Sequence, residues 1–135
     1  MKSINKKALR IFSKLVEGID KPGDHKRVDN CDSAFMPVVI ECVGIPDFGD
    51  AMRPGVRLIS IAHYYEQSGD LIQDPEIVFL VTPDAAFPMD FFQPPFRDRA
   101  AKIEDGKLMV NAKRQRDLAS FAGQWLSNIK SQQNL

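Results

Sequence analysis

VRLISIAHYYEQSGDLIQDPEIVFLV, residues 56–81, contains the strongest folding signal of the chain. Its first half, VRLISIAHYYEQ, is typical of a strand whose successive side chains point to opposite faces. Ser68 and Gly69 supply a turn, and PEIVFLV at residues 75–81 is short and rich in β-branched residues. Two such segments joined by a short turn predict an antiparallel β-hairpin.

Further strands are predicted on both sides of this hairpin. RAAKIEDGKLMVN, residues 99–111, places Asp105-Gly106 between two short segments, and glycine adopts the positive φ that a tight turn requires. FMPVVIECVGI, residues 35–45, predicts the first strand of the sheet. TPDAAFPMDFFQPPF, residues 82–96, predicts an edge strand or a packed loop, because proline lacks the N–H that a ladder needs.

An amphipathic helix is predicted before and after the strands, where apolar residues recur every three or four positions. Asn111 is expected to cap the second helix, and Pro22-Gly23 to end the first. The expected fold is α+β, with a mostly antiparallel sheet of about five or six strands and both helices packed on it. Residues 1–135 are expected to form one domain, with helices over about 3–18 and about 112–131 and the sheet over about 35–110.

Composition excludes several classes of protein. The chain is 44% hydrophobic and 27% charged. These values are ordinary for a globular protein and unlike those of disordered or collagen-like chains. No apolar run approaches the roughly 20 residues of a membrane span, and the first residues do not resemble a signal peptide. Cys31 and Cys42 are expected to be free thiols. A cytoplasmic location, no membrane partner and no cofactor are therefore expected, since nucleotide-binding loops and metal-binding cysteine spacings are missing from the sequence.

Charge is unevenly distributed along the chain, with net values of +4 for residues 1–30, −7 for 31–110 and +3 for 111–135. A nucleic-acid partner would have to meet the basic ends, because an acidic centre repels phosphate. The same pattern is also typical of solvated helix faces that need no ligand. The basic residues concerned are Lys6, Lys7, Arg10, Lys14, Lys113, Arg114 and Arg116.

The most unusual segment is HYYEQSGDLIQDPE, residues 63–76, which holds both tyrosines of the chain, a histidine and four carboxylates. ISIAHYYEQSGDLIQDPEIVFLV resembles an uncharacterised family of bacterial, phage and plasmid domains whose members carry HYYEQNGDLM, then DPE, then a hydrophobic strand. The resemblance extends to PVVIECVG and to EDGKLMVNAKRQRDLASFAGQWLSNIK, with Ser68 where asparagine is common. It implies an association with mobile elements and no established activity.

The favoured hypothesis is a noncatalytic binding or regulatory module that docks a protein partner or a second copy of itself. No catalytic residue is assigned. The candidate binding residues of the motif are His63, Tyr64, Tyr65, Glu66, Asp70, Asp74 and Glu76. The candidate interface residues are Phe87, Phe91, Phe92 and Phe96, which would form an apolar patch if several were exposed together, although at least half are expected in the core.

Two alternative hypotheses are a nucleic-acid binder that uses the basic residues of the two terminal helices and a metal-dependent hydrolase or nuclease. A two- or three-residue turn brings His63 opposite Gln73 or Asp74, and Glu41 and Glu76 could complete a carboxylate and imidazole site. A divalent metal held there could activate water. The competing structural interpretation is that His63 is a partly buried, hydrogen-bonded residue and that one of the two tyrosines packs in the core.

Overall fold

A computed structural model describes residues 1–48 and 55–135. Two helices flank eight strands in the chain order. The elements are α1 (Lys6–Leu15), β1 (His25–Val28), β2 (Val38–Gly44), β3 (Arg57–Gln67), β4 (Asp70–Val81), β5 (Ala86–Gln93), β6 (Phe96–Arg99), β7 (Ala101–Glu104), β8 (Lys107–Val110) and α2 (Ala112–Gln132). This arrangement confirms the α+β prediction.

Strands β1 to β6 form one antiparallel sheet in which each strand pairs with the next along the chain. Strands β7 and β8 form a separate hairpin. Both predicted tight turns are present, because Ser68, Gly69, Asp105 and Gly106 all have the positive φ that such turns require. The sequence interpretation joined β7 and β8 to the main sheet, and the structure separates them.

A β-bulge in the β3–β4 hairpin determines which side chains share a face. Ala62 pairs with Glu76 and Tyr64 pairs with Gln73, so the single residue His63 lies opposite the pair Asp74-Pro75. The extra residue shifts the alternation of β4 by one position. Glu76 therefore points away from the helices. In the part of β4 after Glu76, apolar residues at alternate positions still face the helices.

Both helices cover one face of the main sheet, as predicted, and bury the larger core between the layers. Phe12 of α1 packs on Phe79 of β4 with ring centroids 4.9 Å apart, and both side chains are fully buried. The apolar residues of α2 continue this core along β2, β3 and β4. Neither helix in the described part of the chain combines the length and the apolar character needed to cross a membrane.

The opposite face of the sheet is covered only near one end. Leu80, Met89 and Ala101 form a second, smaller core there, and half-buried residues of β5 and β7 pack around them. The β7–β8 hairpin thus covers the start of β5 and the end of β4. No described helix or strand lies over the other half of this face.

The two helices run side by side in the same direction. Gln115, in the first turn of α2, bonds to the backbone of Lys2, which precedes α1. Lys14, in the last turn of α1, lines the same recess as Lys130, in the last turn of α2. The C-terminal ends of the two helices therefore lie close together.

Two buried glutamines of the C-terminal segment bind backbone groups of distant segments. Gln115, 1% exposed, accepts from the Lys2 N–H at 2.7 Å and donates to the carbonyls of Lys2 and Pro88. Gln133, fully buried just after α2, accepts from the Asn30 N–H at 2.7 Å and donates to the Met36 carbonyl at 3.1 Å. Each side chain replaces the water that those peptide groups would otherwise bind. Two chain segments therefore depend on α2 for their positions.

The first helix and the first strand differ from the sequence prediction. Helix α1 begins after Asn5, whose side chain accepts from the Ala8 N–H at 2.8 Å. This cap makes the helix shorter than residues 3–18. Residues 35–45 were predicted to form the first strand of the sheet, but the edge strand β1 precedes them. Lys26 of β1 donates to the carbonyls of Lys14 and Glu17, at and just beyond the end of α1.

The proline-rich segment was expected at a sheet edge or in a loop, and that prediction is wrong. Strand β5 lies between β4 and β6. Pro88, which cannot donate to the ladder, lies opposite Phe79 at a register shift between Val78 and Phe79. The irregular pairing accommodates the missing donor.

Candidate binding face of the sheet

Side chains from four strands form the half of this sheet face that no described element covers. Strand pairing fixes their common side, because directly paired residues project to the same face. Glu41 pairs with Ser60, and Glu76 pairs with both Ala62 and Phe92. We call the surface formed by Glu41, Ser60, Tyr64, Glu76 and Phe92 the open face.

A hydrogen bond and two carboxylates organise the centre of the open face. Ser60, which is 3% exposed, donates its hydroxyl hydrogen to Glu76 Oε2. Glu41, on the neighbouring strand, is exposed. Partial burial raises the pKa of the half-buried Tyr64 phenol above its ordinary value, and the nearby negative charges of Glu76 and Glu41 raise it further. Burial and the two carboxylates thus act together against ionisation of Tyr64.

Replacing Glu76 by glutamine is expected to lower the pKa of Tyr64, since the amide removes a negative charge that opposes the phenolate. The pKa should stay above that of an ordinary tyrosine, because burial, the larger cause, is unchanged. The measurement is phenolate ultraviolet absorbance in a Tyr65→Phe chain, where Tyr64 is the only tyrosine left. The matched control is Glu17→Gln, which removes an exposed carboxylate of the helix layer. An equal fall of the pKa in both variants would contradict the placement of Glu76 beside Tyr64.

Aromatic and basic side chains border the open face on its β6 side. The Arg97 guanidinium lies 5.8 Å from the centroid of the Phe92 ring. This separation is within the range of a cation–π contact. The same guanidinium donates to Asp90 at 2.8 Å, and Arg99 approaches that carboxylate at 3.9 Å. Phe92 is thereby held in place while it remains half-buried.

His63 belongs to the helix side and not to the open face. Its ring lies edge-on to Trp125 of α2 at 5.5 Å, and the residue is 5% exposed. Nδ1 lies 3.0 Å from the Pro37 carbonyl. A carbonyl can only accept, so Nδ1 carries the proton. The contacts of His63 are those of a buried, hydrogen-bonded core residue.

The other motif residues are spread along the hairpin. Tyr65 is 39% exposed, and Glu66 and Asp70 are exposed near the tip. Asp74 accepts from Gln93 Nε2 at 2.6 Å. The expectation of a core tyrosine is wrong, because Tyr64 is half-buried on the open face and its neighbour is exposed.

The structure does not bring the proposed metal ligands together. His63 and Glu76 lie on opposite faces of the sheet, and Asp74 bonds to β5. Among residues 1–48 and 55–135, no three His, Cys, Asp or Glu side chains are grouped as a metal site requires.

The four phenylalanines proposed as an interface are separated by the sheet, and none is as buried as the core residues. Phe87 packs against the smaller core, whereas Phe91 lies on the helix side with its ring edge-on to Phe121 at 5.5 Å. Phe96 is 71% exposed beside the β5–β6 turn. Only Phe92 contributes to the open face, so the four residues do not form one patch.

Comparison with known families supports a relationship that covers nearly the whole chain. A family model described as a domain of unknown function, DUF6908, matches residues 6–135. The chain belongs to this family. The sequence prediction of an uncharacterised domain family is thus confirmed. No curated protein and no solved structure significantly matches this DUF6908 domain.

Sequence reasoning missed two residues that shape this DUF6908 surface. Ser60 holds Glu76, and Arg97 holds Phe92. The available signal for Ser60 was a small polar residue at an alternating position within the apolar run of β3. Arg97 had no such signal, because its role depends on how β6 pairs with β5.

Proposed function

We propose that this DUF6908 domain is a noncatalytic binding module that docks a protein partner on the open face. The observation that carries the proposal is the direct pairing of Glu76 with Phe92 across β4 and β5. This pairing joins the conspicuous hairpin motif to the phenylalanine-rich segment on a surface that no described element covers. Side chains from separate parts of the sequence thereby form one continuous contact area.

The chemistry of the open face favours a partner with basic side chains beside an apolar contact. Glu41 is exposed and Glu76 is half-buried, so the centre attracts positive charge. Val43, 47% exposed, and half-buried Phe92 offer apolar area nearby. Such a mixture of aromatic, apolar and charged groups is typical of protein interfaces.

An association with phages, plasmids and integrated elements belongs to the same proposal and is supported by the resemblance of the motif. A cytoplasmic location is part of it as well, and the free thiols of Cys31 and Cys42 are consistent with a reducing compartment.

Site-specific photo-crosslinking in the natural host tests the proposal. A photo-reactive phenylalanine analogue at Phe92 or at Tyr64 is expected to form an adduct with the same polypeptide. The analogue at Ser120, an exposed position of α2, should not form this adduct. Glu41→Lys should abolish the adduct from Phe92, because it replaces attraction by repulsion at the centre of the open face.

Glu17→Lys is the matched control, since it reverses an exposed carboxylate on the helix layer and should leave the adduct unchanged. An adduct that forms equally from Ser120, or that survives Glu41→Lys, would overturn the proposal. If the captured polypeptide is a second copy of the chain, a dimer that Glu41→Lys dissociates should appear in sedimentation, and the partner is then the chain itself.

A further inference from the structure

Helix α1 presents a basic surface on the side of the molecule opposite the open face. Lys7, Arg10 and Lys14 are exposed, and the segment Lys6–Leu15 contains no acidic residue. They follow one side of the helix over about 10 Å, given a rise of about 1.5 Å per residue. The apolar side of α1 is buried in the core, so the basic side chains are held towards solvent.

The parallel course of α2 adds a fourth positive charge. Lys130, in the last turn of α2, borders the same recess as the three basic residues of α1. This recess has a volume of about 220 Å³, and Ile11 and Leu135 supply the apolar part of its wall. We call the four cations Lys7, Arg10, Lys14 and Lys130 the basic recess.

No carboxylate of the described residues forms an ion pair with the basic recess. The ion pairs found within residues 1–48 and 55–135 use Arg27, Arg97, Arg99, Lys102 and Arg114 instead. Within α2 the only acidic residue is Asp117. It precedes Lys130 by about 20 Å of helix. Charges of one sign that converge in this way, none of them in an ion pair with a described residue, attract a polyanion.

We propose that the basic recess binds the phosphate backbone of nucleic acid without reading its sequence. Along the axis of a duplex each strand contributes a phosphate about every 3.4 Å, so a row of cations about 10 Å long can meet several of them. A membrane surface fits less well, because the apolar side of α1 is buried in the core and is not available for insertion into lipid.

The structure also narrows the set of basic residues that the sequence indicated. Arg114 pairs with Asp98 at 3.7 Å, and Arg116 borders a different recess with Met1 and Lys2. Arg114 and Arg116 lie near the start of α2, whereas Lys130 lies in its last turn. The basic residues near the start of α2 are therefore outside the proposed site.

Fluorescence anisotropy of a labelled duplex DNA of mixed sequence, measured at several salt concentrations, tests the proposal. Each neutralised phosphate contributes about −0.9 to the slope of log K against log salt, so four contacts predict a slope of about −3 to −4. The combined variant Lys7→Gln, Arg10→Gln, Lys14→Gln leaves Lys130 as the last cation of the recess. The dependence on salt should therefore become shallower, with a slope of about −1.

The matched control is Lys21→Gln, Lys107→Gln, Lys113→Gln, which removes the same charge from exposed positions outside the recess. It should keep the slope of the unmodified chain. A slope near zero for the unmodified chain would overturn the proposal, as would an equal loss in the control. Binding to anionic phosphatidylserine vesicles but not to duplex DNA would overturn it in favour of a membrane surface. Circular dichroism of each variant verifies that the fold is retained.

Discussion

Replacing Phe79 by alanine is expected to lower the free energy of unfolding by about 3–5 kcal/mol. Phe79 is fully buried at the centre of the sheet and packs on Phe12 with ring centroids 4.9 Å apart. The substitution removes buried apolar area and leaves a cavity between the sheet and α1. Since domains of this size have about 5–15 kcal/mol of stability, this is the largest single effect that we expect.

Urea unfolding followed by circular dichroism measures the change, and Phe96→Ala is the matched control. Phe96 is 71% exposed. Its replacement should therefore change the free energy of unfolding by less than about 0.5 kcal/mol. Equal effects of the two substitutions would contradict the described core.

Gln133→Met should lower the free energy of unfolding by about 2–3 kcal/mol. Methionine keeps the length of the side chain but cannot pair with the Asn30 N–H or the Met36 carbonyl. Each polar group left without a partner in a buried setting costs about 1–3 kcal/mol.

Amide hydrogen exchange provides a second readout for this substitution. The Asn30 amide should exchange faster in Gln133→Met, because its acceptor is gone. Gln124→Met is the control, since Gln124 is exposed and its side chain bonds to Asn128 on the surface. Unchanged protection of Asn30 would show that Gln133 does not hold the segment before β2.

Local sequence signals predicted the parts of the fold that depend on neighbouring residues. Gly69 and Gly106 indicated both hairpins, and Asn111 accepts from the Arg114 N–H as its capping role required. These features need only a few consecutive residues, so the sequence contains enough information to find them.

The face of Glu76 could not be read from local alternation. A regular ladder beyond the Ser68-Gly69 turn would place Glu76 opposite Ile61, towards the helices. The bulge at Asp74-Pro75 reverses this placement and turns Ile77 into the core instead. The apolar residues of β3 and β4 can be buried on the same side of the sheet only if the hairpin contains a bulge. This requirement would have revealed the bulge.

The buried glutamines carried a signal that hydrophobic periodicity does not use. Gln115 and Gln133 continue the spacing of three and four residues that Leu118 and Ile129 follow, although both are polar. A polar residue on such a stripe indicates a buried hydrogen-bond partner, but its identity depends on distant chain segments. Sequence alone therefore could not name the backbone groups that these side chains bind.

The position of α2 after all eight strands has a consequence for biosynthesis. A nascent chain leaves the ribosome with its N-terminal part first, so the meander can pair before α2 has been translated. Until then the apolar face around Ile61 and Ile77 has only α1 to cover it. The interval in which a chaperone can recognise this face therefore closes only when α2 has left the ribosome and packed on the sheet.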